Sequence, residues 1–157
     1  MAVSEIIGAA VGILLLVIVA YIVVGSTLTA AETVATAQKD LSLQHEERLG
    51  TSITLNRSEI SNTTSELDFS ITNNGDEIIS DFNQMDILTW KGHPGEGYDH
   101  AVYGVTGWTV DRIEPDFIHP MQLDPGEKMW IRLKFDTDKP VWLQVTTSNG
   151  VYSSTYV

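Results

Sequence analysis

From residue 6 to residue 24 the chain carries about 19 consecutive apolar or small residues and no charge. As a helix rising about 1.5 Å per residue this segment is nearly 30 Å long, which matches the hydrocarbon thickness of a bilayer. Beyond it the pattern relaxes to a spacing of three and four: Leu28, Ala31, Ala35, Gln38, Leu41, His45 and Leu49 share one side, and no proline interrupts them. This predicts that the helix continues as a weakly amphipathic extension to a C-cap at Gly50, on the order of 65 Å in all. From residue 51 the period drops to two. Leu67, Phe69 and Ile71 alternate with Asp68, Ser70 and Thr72, and Met129, Ile131, Leu133 and Phe135 alternate with Lys128, Trp130, Arg132 and Lys134. Both stretches predict half-buried strands. Further strands are expected over residues 52–55, 86–90, 101–105 and 108–113, and a terminal hairpin over 141–147 and 151–157 about Asn149-Gly150. Seven or eight short strands with turn residues between them predict an immunoglobulin-like antiparallel β-sandwich. The expected fold class is α+β, with a helix over residues 1–50, its membrane span at about 6–24, and a sandwich domain over 51–157.

Three readings compete for the apolar run. A cleaved secretory signal has a basic n-region and a shorter apolar core, whereas the first basic residue here is Lys39. A buried core helix needs cover on every side, and about 108 residues of β structure are too few to wrap one. A membrane span, or a bundle with copies of itself, is therefore favoured. A short N-terminal tail and a large acidic head favour an extracytoplasmic head.

Charge and chemistry narrow the function. The formal net charge of −12 argues against nucleic acid, whose phosphates repel such a surface. There is no cysteine, which removes disulfides, thiolate metal sites and cysteine nucleophiles together. No G-x-S-x-G elbow, phosphate-binding glycine loop or H-E-x-x-H helix is present. The expectation is a protein with no catalytic residue, cofactor, metal or small-molecule substrate. His93, Glu96, Asp99 and His100 include ligand types, but match no recognised metal spacing and read more plainly as a polar loop. Asn56-Arg57-Ser58 and Asn62-Thr63-Thr64 fit the N-glycosylation pattern beside expected turns, where Asn56 and Asn62 would be exposed.

The stem of apolar run and extension resembles a type IV pilin stalk. That resemblance implies that Glu5, at the fifth position, pairs with the N-terminal amine of a neighbouring subunit, since an isolated ion in hydrocarbon is costly. Equally, Glu5 beside Ser4 is an ordinary first-turn carboxylate at a helix N-terminus. Gly8 and Gly12 form a G-x-x-x-G spacing that allows close helix approach, or are plain apolar filler. In the head, Asn73-Asn74-Gly75-Asp76 after one alternating strand and Leu123-Asp124-Pro125-Gly126-Glu127 before another resemble prokaryotic cell-surface immunoglobulin-like modules. With the stem and the extension Glu32-Thr33-Val34-Ala35-Thr36-Ala37-Gln38-Lys39-Asp40, the chain is similar to archaellum accessory proteins of the FlaF/FlaG type. The resemblance implies a membrane helix carrying an extracytoplasmic sandwich, other archaellum components and the S-layer as partners, and an anchoring role in archaeal motility. Archaellins and archaeal pilins share the stem plan. A filament subunit with copies of itself as partner is the second expectation, and a small exported hydrolase a distant third.

Strand alternation also nominates a partner surface. If Met129, Ile131, Leu133 and Phe135 face the core, Trp130, Arg132 and Lys134 face outward, and a neighbouring strand would add Trp142 or Tyr152. Trp and Arg are enriched at binding hot spots. The alternative is that Trp130 lies flat while Arg132 and Lys134 pair with nearby acids.

Overall fold

The computed structural model describes residues 2–62, 65–93, 95, 97–135 and 138–157. One helix, α1, runs Ala2–Gly50. Ala, Leu, Val and Ile dominate it, and its threonines are accommodated by bonding back to the preceding turn. Thr27, Thr29, Thr33 and Thr36 each donate a hydroxyl hydrogen bond to the carbonyl four residues earlier. The chain divides into two compact units, Met1–Leu43 and Gln44–Val157. In the first, the large apolar side chains from Val3 to Val24 are 46–81% exposed. The helix is long and apolar enough to cross a membrane.

Among the described residues the second unit holds the last two turns of α1 and eight strands: β1 Ile53–Asn62, β2 Glu66–Asn73, β3 Asp86–Trp90, β4 Asp99–Ala101, β5 Trp108–Glu114, β6 Lys128–Lys134, β7 Trp142–Thr146 and β8 Tyr152–Tyr156. They form two four-stranded sheets, ordered β1-β2-β6-β5 and β4-β3-β7-β8, every strand pair antiparallel. This is the ABED and C′CFG order of the immunoglobulin sandwich, and the expected α+β fold class is observed. The core lies between the sheets. Leu67, Phe69 and Ile71 of β2 meet Leu133, Ile131 and Met129 of β6, all at most 1% exposed. Ile87, Leu143 and Val145 close it from the other sheet, and Trp108 fills it from β5. Alternation therefore sorted the two faces of β6 as period two requires.

The strand expected over residues 101–105 forms instead at Asp99–Ala101. The chain turns immediately afterwards: Trp108 N donates to Val102 O at 3.1 Å and Gly104 N to Trp108 O at 2.8 Å. Gly107 makes this turn passable, because a Cβ there would collide with the Val102 carbonyl.

Gly50 ends α1, but not by the left-handed cap that a glycine suggests; it is absent from the residues of positive φ. The free carbonyls of the last turn are taken by the head instead. Thr51 Oγ1 donates to Glu47 O at 2.8 Å, and Asp76 N donates to Gly50 O at 2.7 Å. Asn149 Nδ2 donates to Thr51 Oγ1 at 2.6 Å. The turn after β2 completes the clamp. Ser52 O accepts from Asn74 N and Gly75 N at 2.8 and 3.1 Å, while the buried Asn73 side chain donates to Glu77 O and Leu123 O. Gly75 passes so close to this strand that a Cβ would overlap Gly50 O and Ser52 N. Gly75→Ala is expected to destabilise the protein by about 2 kcal/mol, the scale of forced overpacking. Chemical denaturation of the purified chain, set against Gly97→Ala, whose added Cβ meets nothing within 4 Å and whose φ is not positive, measures it.

Candidate functional site

The outer face of the first sheet carries the residues that alternation nominated. Trp130 and Arg132 are partly exposed on β6 and Lys134 is exposed at its end. The Arg132 cation is already engaged. The register sets Arg132 directly opposite Asp68, and Arg132 Nε lies 3.0 Å from Asp68 Oδ1 and 3.5 Å from Glu66 Oε2, while Nη2 lies 3.3 Å from Asp111 Oδ1. The hydrogen bond to Asp68, followed by the attraction of Asp68 and Asp111, raises the guanidinium pKa further above its usual range, so it stays charged. Arg112 binds Asp111 and Glu114, and its guanidinium lies 4.5 Å from the centre of the Trp130 ring, with Lys128 at 5.7 Å. Trp130 is thus capped by this chain's own cations, and its buried Nε1 finds no acceptor among the described residues. Around Arg132 and Arg112 this face is a paired lattice.

Trp142 does not join that surface. It sits on β7 in the other sheet, so its outer face points away from Trp130; the sequence-based grouping of Trp142 and Tyr152 with Trp130 is corrected by the sheet order. Trp142 instead stands between Trp90 of β3 and Tyr156 of β8 in the register, with the Tyr98 ring 5.4 Å from its own. Trp90, Tyr98 and Tyr156 escaped sequence reasoning. Trp90 and Tyr156 occupy outward positions at the ends of their strands and Tyr98 lies just before β4, but only the register between non-consecutive strands reveals that Trp90, Trp142 and Tyr156 align.

The polar cluster around residue 93 does not assemble. Glu96 lies outside the described residues. Asp99 accepts an ion pair from Lys91 at 2.8 Å and His100 Nε2 lies 2.7 Å from Asp86 Oδ1, while His93 is exposed. Among the described residues no group of three such side chains is placed to hold a metal. Lys134 lines an open polar cleft of about 400 Å3 with Lys91, Asp99 and Thr106. Asn56 stands inside β1 and not beside a turn, and its Nδ2, the atom a glycan would occupy, donates to Ser70 Oγ at 3.1 Å and Thr72 Oγ1 at 2.9 Å. Asn62 ends β1; its side chain, with Thr63 and Thr64, lies outside the described residues. In the first unit Glu5 lies in the first turn of α1. A Cβ added at Gly8 or Gly12 would meet nothing within 4 Å, leaving that side of the helix open.

Arg132 bridges three carboxylates. Arg132→Ala is expected to lower the melting temperature through repulsion among Glu66, Asp68 and Asp111, and 1 M salt is expected to recover much of the loss by screening it. Thermal melts at low and high salt provide the measurement.

Comparison with known families and with curated proteins finds no match. Solved structures that share the fold include the following two. One is described as archaellum periplasmic stator protein FlaG from Sulfolobus acidocaldarius; it is 19% identical with a TM-score of 0.52, over 68% of this chain and 99% of that one. The other is described as the archaellum periplasmic stator protein complex FlaF and FlaG from Sulfolobus acidocaldarius, 19% identical with a TM-score of 0.50, over 67% of this chain and 87% of that one. At this identity the likeness establishes a common β-sandwich fold.

Proposed function

We propose that the chain is a membrane-anchored structural component of the archaeal motility machinery. Its apolar helix holds it in the bilayer, and its sandwich binds an envelope partner, the S-layer or another archaellum protein, to tie down the non-rotating part of the motor. The observation that carries this reading is the combination, in one chain, of a helix apolar enough to cross a membrane and a head with the fold of a protein described as an archaellum stator. A similar chain solved in a complex of FlaF and FlaG supports a protein partner from the same machinery, and the word periplasmic in both descriptions supports an extracytoplasmic head. The mechanics are consistent. A rotating filament exerts a reaction torque, a fluid bilayer resists little of it, and a span joined to a surface-binding head transfers the load to something stiff.

A second reading, a filament-forming subunit, has its own observation in favour: the exposed apolar run with an open side at Gly8 and Gly12, which copies of the helix would cover. There Glu5 would lie within the bundle, where it would require a paired amine. Fractionating cells that carry a tagged copy separates the two. Anchoring predicts a minor membrane protein that captures envelope material; the chain as the main component of sheared filaments would overturn it in favour of the subunit. Replacing Trp130 and Arg132 together tests whether the first sheet is the binding face, and undiminished envelope capture would remove that assignment.

A further inference from the structure

Phe117, in the loop between β5 and β6, is 85% exposed, more than any other large apolar side chain among the described residues. Ile118 and Met121 follow at 73% and 65%. A single exposed apolar side chain is ordinary, but three within five residues of one loop are not. Nor is the loop a loose end. Asp124, itself buried, accepts from His119 N on Oδ2 at 3.2 Å and faces His119 Nδ1 through Oδ1 at 2.8 Å. Asp116 Oδ2 accepts from Met121 N at 3.3 Å, and Gln122 N donates to His119 O at 3.0 Å. The fully buried Leu123 then ties the loop to Ile79 through paired backbone bonds of 2.9 and 3.1 Å. Within this frame Met121 has a φ of 66°, a left-handed conformation that few residues besides glycine take. Backbone strain of this kind collects where a side chain is held ready for a ligand or partner.

The charges around the loop select its occupant. From Ile113 to Glu127 the chain has no Lys or Arg, but it has Glu114, Asp116, Asp124 and Glu127. Glu114 is met by Arg112 and Asp124 by His119, whereas among the described residues no ion pair reaches Asp116. The loop lies at the Gly50 end of the second unit, because Asn73 N donates to Glu127 O while Asp76 N and Glu77 N donate to Gly50 O. Asp76 and Glu77 thus add to its acidic surroundings. A lipid surface fits poorly, since segments that insert apolar side chains among anionic headgroups bring Lys or Arg with them and this one brings none. A second copy fits no better. Symmetric pairing would set the same carboxylates against each other on a chain of net charge −12. What fits is a different protein whose pocket is apolar, to receive Phe117, Ile118 and Met121, and whose rim is basic, to meet Asp116. Phe and Met are enriched in the cores of protein interfaces, and charged residues belong to the rim.

We propose that Phe117, Ile118 and Met121 form a knob that docks into an apolar pocket, rimmed by Lys or Arg, on a different protein. The proposal deepens the anchoring reading and rests on it for the partner's setting in the envelope. In the cells that make it, the full-length chain is given p-benzoylphenylalanine at position 117, or at the exposed position 105 as a control, and irradiated. Mass spectrometry of the crosslinked peptides identifies the adducts. The expected result is one adduct with a different, identified protein, its crosslinked peptide flanked by Lys or Arg. That protein is then purified and titrated against the full-length chain in detergent micelles. Phe117→Ser/Ile118→Ser changes only exposed side chains and is expected to weaken binding about tenfold or more, with an unchanged melting curve. Met121→Gly suits a positive φ, so it is expected to weaken binding without lowering the melting temperature. Asp116→Asn keeps an oxygen to accept from Met121 N, and is expected to weaken binding about two- to threefold at low salt and not at all in about 0.5 M salt. Crosslinks to lipid, crosslinks between two copies, a yield no higher than at position 105, or a partner that binds the double variant as tightly each overturn the proposal. Envelope capture undiminished in the double variant overturns the knob and leaves anchoring intact. A specific crosslinked partner from outside the envelope and the archaellum upholds the knob and overturns anchoring.

Discussion

A helix that is apolar on every side must be covered by something other than its own chain, and this requirement governs the rest of the molecule. The fifteen large apolar side chains from Val3 to Val24 are each at least 46% exposed. Leaving them in water costs on the order of 20 kcal/mol or more relative to full burial, above the 5–15 kcal/mol that typically holds a domain folded. Lipid or other copies of the helix must supply that cover. The head, with a closed core of its own, is left to present surfaces to partners.

Those surfaces include the outer faces of the two sheets. On the first, Arg132, Arg112 and Lys128 are spent internally, on Asp68, Asp111, Glu66, Glu114 and the Trp130 ring. Exposed pairs of this kind contribute little each, but a cation shared among three carboxylates keeps an acidic face from repelling itself. On the second, Asp86 meets His100, Asp99 meets Lys91, and the Tyr98 ring packs against Trp142.

The clamp between the end of α1 and the head explains several residues that look like ordinary turn formers. Asn73, Asn74 and Gly75 follow a strand as hairpin residues would, yet they bind Ser52, Glu77 and Leu123, and Asn149 of the final turn reaches Thr51. Their amides satisfy backbone groups that the end of a helix and the start of a strand leave open.

Local pattern was sufficient for the apolar run, for the alternation of β2 and β6 and for the terminal hairpin, because each depends on neighbours a few residues apart and on a fixed period of 3.6 or 2. The immunoglobulin-like architecture followed from strand number and spacing. It could not foresee that the chain turns after Ala101, where strand propensity yields to a turn that Gly107 permits. Nor could it say that Arg132 faces Asp68, that Trp142 belongs to the opposite sheet from Trp130, or that Asn56 is held inside a strand. The sequence alone determined which residues face in and which face out, since side-chain alternation is a property of the strand itself. Only the tertiary structure decided which outward residues meet, because register and sheet order join segments far apart in the chain and arise from packing of the whole core.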